Sequence, residues 1–223
     1  MGKSPGITAV QRRTLDQLKQ IPELAGFYLA GGTAIGAQLG HRQSLDLDLF
    51  SVKANADIAR IQRSIVRAIP ATTVLSASDV ALSLRVHGAL VDIVCYPYAP
   101  VARPISGPQG FATAALLDLA AMKLSAVSRR GIRRDFWDLY AIVTVGNISL
   151  RTMARAYVKK FAVGEADLYA VLRSLTYFVD ADADPIWPKG LTVKKWREIV
   201  AFFETNAPRL VVAARKPSPQ KRR

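Results

Sequence analysis

The chain has 223 residues, of which half are apolar and 22% are charged, a composition typical of a globular protein and not of a disordered one. Its single cysteine, Cys95, excludes an intramolecular disulfide framework and a cysteine zinc cluster. No stretch is apolar enough for a signal peptide or a membrane span, so we expect a cytoplasmic protein that does not contact a membrane.

The charge of the chain predicts a polyanionic partner. The net charge is +14 and the isoelectric point is near 10.3. Lys and Arg side chains release counterions from phosphate backbones, so a nucleic acid is the favoured partner. The alternative is a basic protein with a solvated tail, because residues 215–223 alone carry five positive charges.

The first hundred residues mix helical and strand patterns. Apolar spacing predicts a helix over 8–20, and the apolar run FYLAGG at 27–32 leads into a helix that Gly40 stops. The strict alternation of LDLDLF at 45–50 predicts a strand. A helix follows over 56–70.

Two β-rich runs within residues 81–96 predict a hairpin. The dipeptide Gly88-Ala89 suits a two-residue type II′ turn. That turn places Arg85 opposite Asp92 on the neighbouring strand.

A proline-rich connector at 96–108 separates this region from one in which every pattern is helical. The predicted helices cover 111–130, 132–145, 150–162, 165–178 and 192–205. The sequence DADADP at 180–185 predicts an acidic turn. We therefore expect a core over 1–108, a helical domain over 109–210 and a basic, disordered tail over 211–223.

The strongest chemical pattern is the pair Asp46 and Asp48. In a strand these side chains share one face about 7 Å apart, while Leu45, Leu47 and Leu49 face a core. Two carboxylates on one face repel each other unless cations bind, and Mg²⁺ prefers such hard oxygen ligands. The alternative is an amphipathic edge strand that shows its acids to solvent.

Two further features extend this pattern toward phosphoryl transfer. Gly31-Gly32, at the start of a helix, lets a phosphate approach the backbone and the helix N-terminus. Asp92 supplies a third carboxylate on a nearby strand, as a two-metal site needs to orient an attacking hydroxyl. Pairing with Arg85 is the alternative role of Asp92, and the two roles are compatible.

The helical region offers candidate phosphate contacts. Lys123, on a helix whose apolar side faces inward, is a point charge for a triphosphate or an ordinary surface lysine. Four arginines around Gly131 form a basic corner for phosphate or RNA, or a solvated loop. They are Arg129, Arg130, Arg133 and Arg134.

Three long segments resemble the AbiEii/AbiGii toxin family of nucleotidyltransferases. They are YLAGGTAIGAQLGHRQSLDLDLF, VDIVCYPY and DLAAMKLSAVSRRGIRRDFWDLYAI, and the likeness extends over residues 25–205. The resemblance implies an α+β fold: a mixed-sheet nucleotidyltransferase core like that of DNA polymerase β, followed by a helical C-terminal domain that completes the nucleotide cleft. It also implies NTP and Mg²⁺ as ligands and a toxin that has a cognate antitoxin, with the 3′ end of tRNA as an acceptor.

The resemblance also implies roles for particular residues. Asp46, Asp48 and Asp92 are the catalytic, metal-binding carboxylates. Gly31, Gly32, Thr33, Lys123 and Asp135 bind the nucleotide. The turn reads Gly-Gly-Thr where many nucleotidyltransferases have Gly-Ser, so the hydroxyl beside the phosphate is expected from Thr33. For Asp135, ion pairing with the adjacent arginines is an equally good interpretation.

Three other functions fit the same residues. A transferase that modifies drugs is the weakest of them, because a cationic aminoglycoside would prefer an acidic surface to this basic one. A nucleotidyltransferase that modifies proteins keeps the metal site but labels no RNA. A catalytically silent module that grips RNA or a protein partner needs no intact set of carboxylates, so the three aspartates argue against it.

Overall fold

A computed structural model describes residues 6–214, so the tail expected to be basic and disordered lies, from residue 215 on, outside the described residues. The chain divides between Leu119 and Ala120 into two compact units. The domain boundaries predicted from composition, with a helical region that completes a nucleotide cleft, stay a prediction. In the described part of the chain, no helix is both long and apolar enough to cross a membrane.

The first unit is built on a mixed sheet. Its helices are α1 (Ala9–Leu18), α2 (Gly31–Leu39) and α3 (Ile58–Ala68). Its strands are β1 (Tyr28–Ala30), β2 (Asp46–Ser51), β3 (Thr72–Ala77), β4 (Ala81–Val86), β5 (Ala89–Cys95), β6 (Ile105–Ser106) and β7 (Ala112–Thr113). The described strands form one sheet in the order β3-β4-β5-β2-β1-β7-β6. β2 runs parallel to β5 and antiparallel to β1, which confirms the mixed sheet.

Local sequence explains the main elements of this unit. Thr8 and Gln11 form a capping box at the start of α1, and Gly40 ends α2 in the left-handed conformation. In β2, Leu47 and Leu49 are fully buried, as the alternation predicts. Leu45 was expected to face the core, but it precedes the strand and is 69% exposed.

The predicted hairpin exists with a different turn. His87 and Gly88 both have positive φ angles, 51° and 90°, so they form the two central residues of a type I′ turn. Val86 then pairs with Ala89, and Ser83 pairs with Asp92. The predicted II′ turn and the pairing of Asp92 with Arg85 are therefore wrong.

The predicted helix over 111–130 is shorter than expected. Its first residues include β7, where Thr113 pairs with Leu29 of β1 and the Ala114 amide donates to the Leu29 carbonyl over 2.9 Å. The helix itself is α4 (Leu116–Arg129), which contains the division between the two units.

The second unit is helical, as predicted. After α4 come α5 (Arg133–Thr144), α6 (Leu150–Phe161), α7 (Glu165–Ser174), α8 (Val179–Ala183) and α9 (Val193–Ala214). Its core contains the ring of Phe136, which contacts those of Phe178, Trp196 and Phe203. The acidic segment predicted as a turn begins instead within the short helix α8.

Candidate active site

The three predicted metal-binding carboxylates share one face of the sheet. In the parallel pair β2·β5, Asp48 lies directly opposite Asp92, and Asp46 lies two residues before Asp48 on the same face. All three side chains are half-buried, whereas Leu47, Leu49 and their neighbours on the opposite face are buried. The sheet register therefore places Asp92 beside Asp48, whereas sequence spacing alone could only place Asp92 on a separate strand.

Gly31 allows one of these carboxylates to approach the backbone. Its φ angle is +63°, and a Cβ atom built on it would lie 1.8 Å from Oδ2 of Asp48. A side chain at this position would be strained by the left-handed conformation and would displace the carboxylate of Asp48. The carboxylate of Asp48 thus lies against the first residue of α2.

Gly32 leaves room for two polar side chains. A Cβ atom at this position would lie 2.5 Å from Nη2 of Arg42 and 3.0 Å from Oγ of Ser44. A guanidinium and a hydroxyl therefore lie beside the N-terminus of α2, where unpaired backbone N–H groups and the helix dipole favour an anion. From the sequence, Arg42 lies in the loop before the strand at 45–50, where a phosphate contact and a structural role are equally good interpretations; Ser44 was missed.

Thr33 does not present its hydroxyl to a phosphate in this structure. The residue is fully buried, and its hydroxyl donates to the main-chain carbonyl of Asp46. The amide of Gln11 donates to the same hydroxyl over 3.4 Å and to the carbonyl of Ser44 over 3.0 Å. Thr33 therefore ties α2 to the start of β2, and Ser44 is the hydroxyl that borders Gly32.

Asp92 has a hydroxyl partner that the predicted register concealed. The Ser83 hydroxyl donates to Oδ1 of Asp92 across the β4·β5 pair. Arg85 is exposed and donates instead to the carbonyl of Gly88, at 3.5 Å. A neutral donor therefore orients Asp92, which leaves its negative charge uncompensated by that neighbour.

The carboxylate set suits a divalent cation in its chemistry. Hard carboxylate oxygens on one half-exposed face are the ligands that Mg²⁺ prefers. Within residues 6–214, however, no three His, Cys, Asp or Glu side chains converge closely enough to hold a metal ion. Asp48 is turned toward Gly31 and Asp92 toward Ser83, so side-chain rotation would be needed for the three to share a cation.

In the second unit, Lys123 and Asp135 form a buried ion cluster with two neighbours. Nζ of Lys123 lies 2.8 Å from Oδ1 of Asp135 and 2.8 Å from Oδ2 of Asp138. Nε of Arg130 lies 2.8 Å from Oδ2 of Asp135. Both aspartates are fully buried, so the interpretation of Asp135 as an ion-pair partner describes its contacts.

The electrostatic balance of this cluster favours the ionised form of Asp135. Burial alone would raise the pKa of its carboxyl group. The Lys123 ammonium and the Arg130 guanidinium outweigh burial and hold that pKa below its ordinary value. Asp135 is therefore ionised at neutral pH.

The predicted basic corner around Gly131 has unequal members. Arg133 is buried, donates to the carbonyls of Asp182 and Asp184, and stacks 4.3 Å from the centre of the Trp187 ring. It therefore packs α5 against α8 and the segment that follows it. Arg129 and Arg130 remain on the surface, with the side chain of Arg130 51% exposed despite its bond to Asp135.

Similar proteins identify the class to which this fold and site belong. MenT4, a nucleotidyltransferase toxin from Mycobacterium tuberculosis H37Rv, matches the structure with a TM-score of 0.50 at 14% identity. The match covers 92% of this chain and 89% of that one, and it confirms the α+β nucleotidyltransferase fold. The protein is a nucleotidyltransferase.

The family follows from the sequence. The family model described as nucleotidyl transferase AbiEii toxin, type IV TA system, matches residues 13–76 and 75–217. The chain belongs to this family of toxin–antitoxin nucleotidyltransferases, which confirms the resemblance seen in its motifs. It is also 29% identical over 185 residues to an uncharacterized protein of Aquifex aeolicus (strain VF5), over 79% of this chain and 88% of that protein.

Proposed function

We propose that the protein transfers a nucleoside monophosphate from an NTP to an acceptor hydroxyl of RNA, with the 3′ end of tRNA as the favoured acceptor. The observation that carries the proposal is the placement of Asp46, Asp48 and Asp92 on one half-exposed sheet face, beside the N-terminus of α2. Phosphoryl transfer requires clustered negative ligands and a site for the triphosphate, and this face supplies candidates for both.

The residues of the first unit have separate roles in the proposed reaction. Asp92 accepts a hydrogen bond from the acceptor hydroxyl and orients it toward the α-phosphate, while Ser83 holds the other carboxylate oxygen. The new bond joins the acceptor oxygen to the α-phosphorus as the bond to pyrophosphate breaks, and the proton of the hydroxyl passes to the carboxylate of Asp92. The triphosphate is bound by the side chains of Arg42 and Ser44 and by the backbone at Gly31 and Gly32.

Mg²⁺ is the proposed metal, with Asp46, Asp48 and Asp92 as its ligands. When bound, it would supply positive charge that stabilises the attacking and leaving oxygens. In the second unit, the family resemblance assigns Lys123 to the triphosphate. The paired carboxylates of Asp135 and Asp138 would fix the orientation of that ammonium group.

RNA is the preferred acceptor because of charge. A net charge of +14 suits a polyanionic acceptor and disfavours a cationic drug. As a member of a toxin–antitoxin family, the chain is further proposed to have a cognate antitoxin and to act in the cytoplasm. Protein NMPylation is the second candidate, because the same carboxylates would serve a protein hydroxyl equally well.

One experiment separates these functions. The protein is incubated with each α-labelled NTP and Mg²⁺, together with total RNA or with RNase-treated lysate. Label in tRNA with release of pyrophosphate supports the proposal, and label in protein alone supports NMPylation. Absence of label with all four nucleotides, combined with binding of RNA, would favour a silent binding module.

A further inference from the structure

An apolar groove lies in the second unit between α6, α7 and α9. Its volume is about 390 Å³, enough for several large side chains. Aliphatic side chains from all three helices form its floor. They are Ala154, Val158, Leu168, Leu172 and Leu210.

One edge of the groove carries a row of positive charges. Arg151, Arg155 and Lys159 of α6 line the groove at intervals of four residues, so they share one face of the helix about 6 Å apart. All three are exposed, and within residues 6–214 no carboxylate forms an ion pair with any of them. The groove therefore combines an apolar floor with an unneutralised basic edge.

We propose that this groove binds an amphipathic helix of a partner protein, with leucine-like side chains on the floor and a row of Glu or Asp along the basic edge. A helix of the partner would repeat its acids at the same four-residue interval as the three cations. The proposal is independent of the reaction proposed above, because it uses no residue of the candidate active site.

Charge and chemistry argue against two other occupants. Leu210 places the groove close to the C-terminal end of the chain, but residues 215–223 contain five Lys or Arg side chains and no Asp or Glu. That segment would bring like charges to the basic edge. Single-stranded RNA stacks its bases on aromatic rings, and no aromatic residue lines this groove.

The test uses a designed peptide and the full chain. A fluorescein-labelled helix of about 18 residues, a length at which isolated helices become stable, carries Leu on one face and Glu at four-residue intervals beside it. Its controls are a scrambled sequence and a version with Lys in place of Glu. Fluorescence anisotropy should show that both controls bind at least about tenfold more weakly than the acidic helix.

Variants then locate the binding. Arg155→Glu reverses a charge of the basic edge, and Val158→Glu places a charge on the floor; each should weaken binding of the acidic peptide about tenfold. Arg197→Glu makes the same charge change on an exposed residue of α9 away from the groove and should alter affinity less than about twofold. Nucleotide transfer without peptide should be unchanged in Arg155→Glu.

Four results would overturn the proposal. The acidic peptide could bind no better than its scrambled control, or Arg197→Glu could weaken it as much as Arg155→Glu. Deletion of residues 215–223 could strengthen peptide binding tenfold, which would identify the tail as the occupant. Finally, Val158→Glu could weaken the binding of an RNA oligonucleotide as much as it weakens the binding of the peptide. That result would reassign the groove to nucleic acid.

Discussion

The two units place their aspartates in opposite environments. Asp46, Asp48 and Asp92 of the first unit are half-buried on a sheet face. The Ser83 hydroxyl donates a hydrogen bond to Asp92. Asp135 and Asp138 of the second unit are fully buried beside the Lys123 ammonium. Acids that are close together on a half-exposed face suit ligand binding, whereas acids neutralised in the interior hold a local structure together.

This contrast predicts that the two sets respond differently to the same substitution. An Asp→Asn change removes charge but hardly alters shape. On the sheet face it should remove activity and spare stability, because the lost charge acts on ligands. In the buried cluster it should reduce stability, because it removes part of the negative charge that balances the buried cations.

The largest effect is expected for Asp48→Asn. Transfer of label from NTP should fall by about 10³-fold or more, because a metal ligand contributes several kcal/mol and each 1.4 kcal/mol is a factor of ten. The midpoint of thermal unfolding should stay the same or rise, since one source of repulsion is removed. Asp79→Asn, a change of an exposed acid near the far end of the sheet, is the control and should retain full activity. Full transfer by Asp48→Asn would refute the metal assignment.

The second effect is expected for Asp135→Asn. The substitution removes the negative charge that contacts both Lys123 and Arg130. Breaking a buried ion pair costs about 3–5 kcal/mol, so urea unfolding should show a large loss in the free energy of unfolding. Asp180→Asn on the exposed side of α8 is the matched control and should change that free energy little. Equal stability of both variants would mean that the cluster contributes nothing to the fold.

The same cluster predicts a dependence of stability on pH. The pKa of Asp135 is lower in the folded state than its ordinary value of 3.8. The ionised carboxylate therefore stabilises the folded protein, and this contribution is complete at pH values well above 3.8. This contribution is lost as the pH falls below 3.8 toward the folded-state pKa. Urea unfolding at pH 7 and near pH 3 should therefore show that the difference between wild type and Asp135→Asn narrows in acid. A difference that widens in acid would contradict the direction of the shift.

A third substitution, compared with a control glycine, separates the effect of backbone strain from the effect of displacing the Asp48 carboxylate. Gly31→Ala places a methyl group where Oδ2 of Asp48 lies, in a conformation that L-residues rarely adopt. Gly26→Ala imposes a similar conformation, at a φ of +93°, with no heavy atom within 4 Å of the new methyl group. Both should lose about 1 kcal/mol of stability. Only Gly31→Ala should also lose activity, by about tenfold or more, and equal activity in both variants would show that the contact with Asp48 is unimportant.

Sequence patterns predicted the secondary structure correctly where one face of a helix or strand is buried. LDLDLF was identified as a strand because Leu47 and Leu49 enter the core and the intervening aspartates do not. TTVLSA forms the edge strand β3 yet was not predicted, because its residues are almost all exposed and no alternation marks a buried face. The contact between Gly31 and Asp48 joins residues from different elements, so only the folded structure could show it.

The partner of Asp92 illustrates the limit of local reasoning about turns. Both His87-Gly88 and Gly88-Ala89 can form a two-residue hairpin turn, as type I′ and type II′ respectively. The choice moves the residue opposite Asp92 from Arg85 to Ser83 without changing which face Asp92 occupies. The face that Asp92 occupies was therefore predictable from alternation, whereas the identity of the residue that donates to Asp92 was not.

The smallest effect is expected for Ser83→Ala, and it tests whether that orientation matters for catalysis. The hydroxyl donates to one oxygen of Asp92, so its loss frees the carboxylate to rotate without removing its charge. Loss of such a supporting hydrogen bond typically lowers activity or metal affinity 10–100-fold, and we expect about tenfold in kcat. Ser83→Thr, which restores a hydroxyl, should recover most of the activity, while Arg85→Ala should change kcat less than about twofold because Arg85 bonds to Gly88 instead. Steady-state kinetics at saturating NTP on the three variants measure this. If Arg85→Ala reduced kcat more than Ser83→Ala, Arg85 would be the residue that positions Asp92, and the role assigned to the Ser83 hydroxyl would fail.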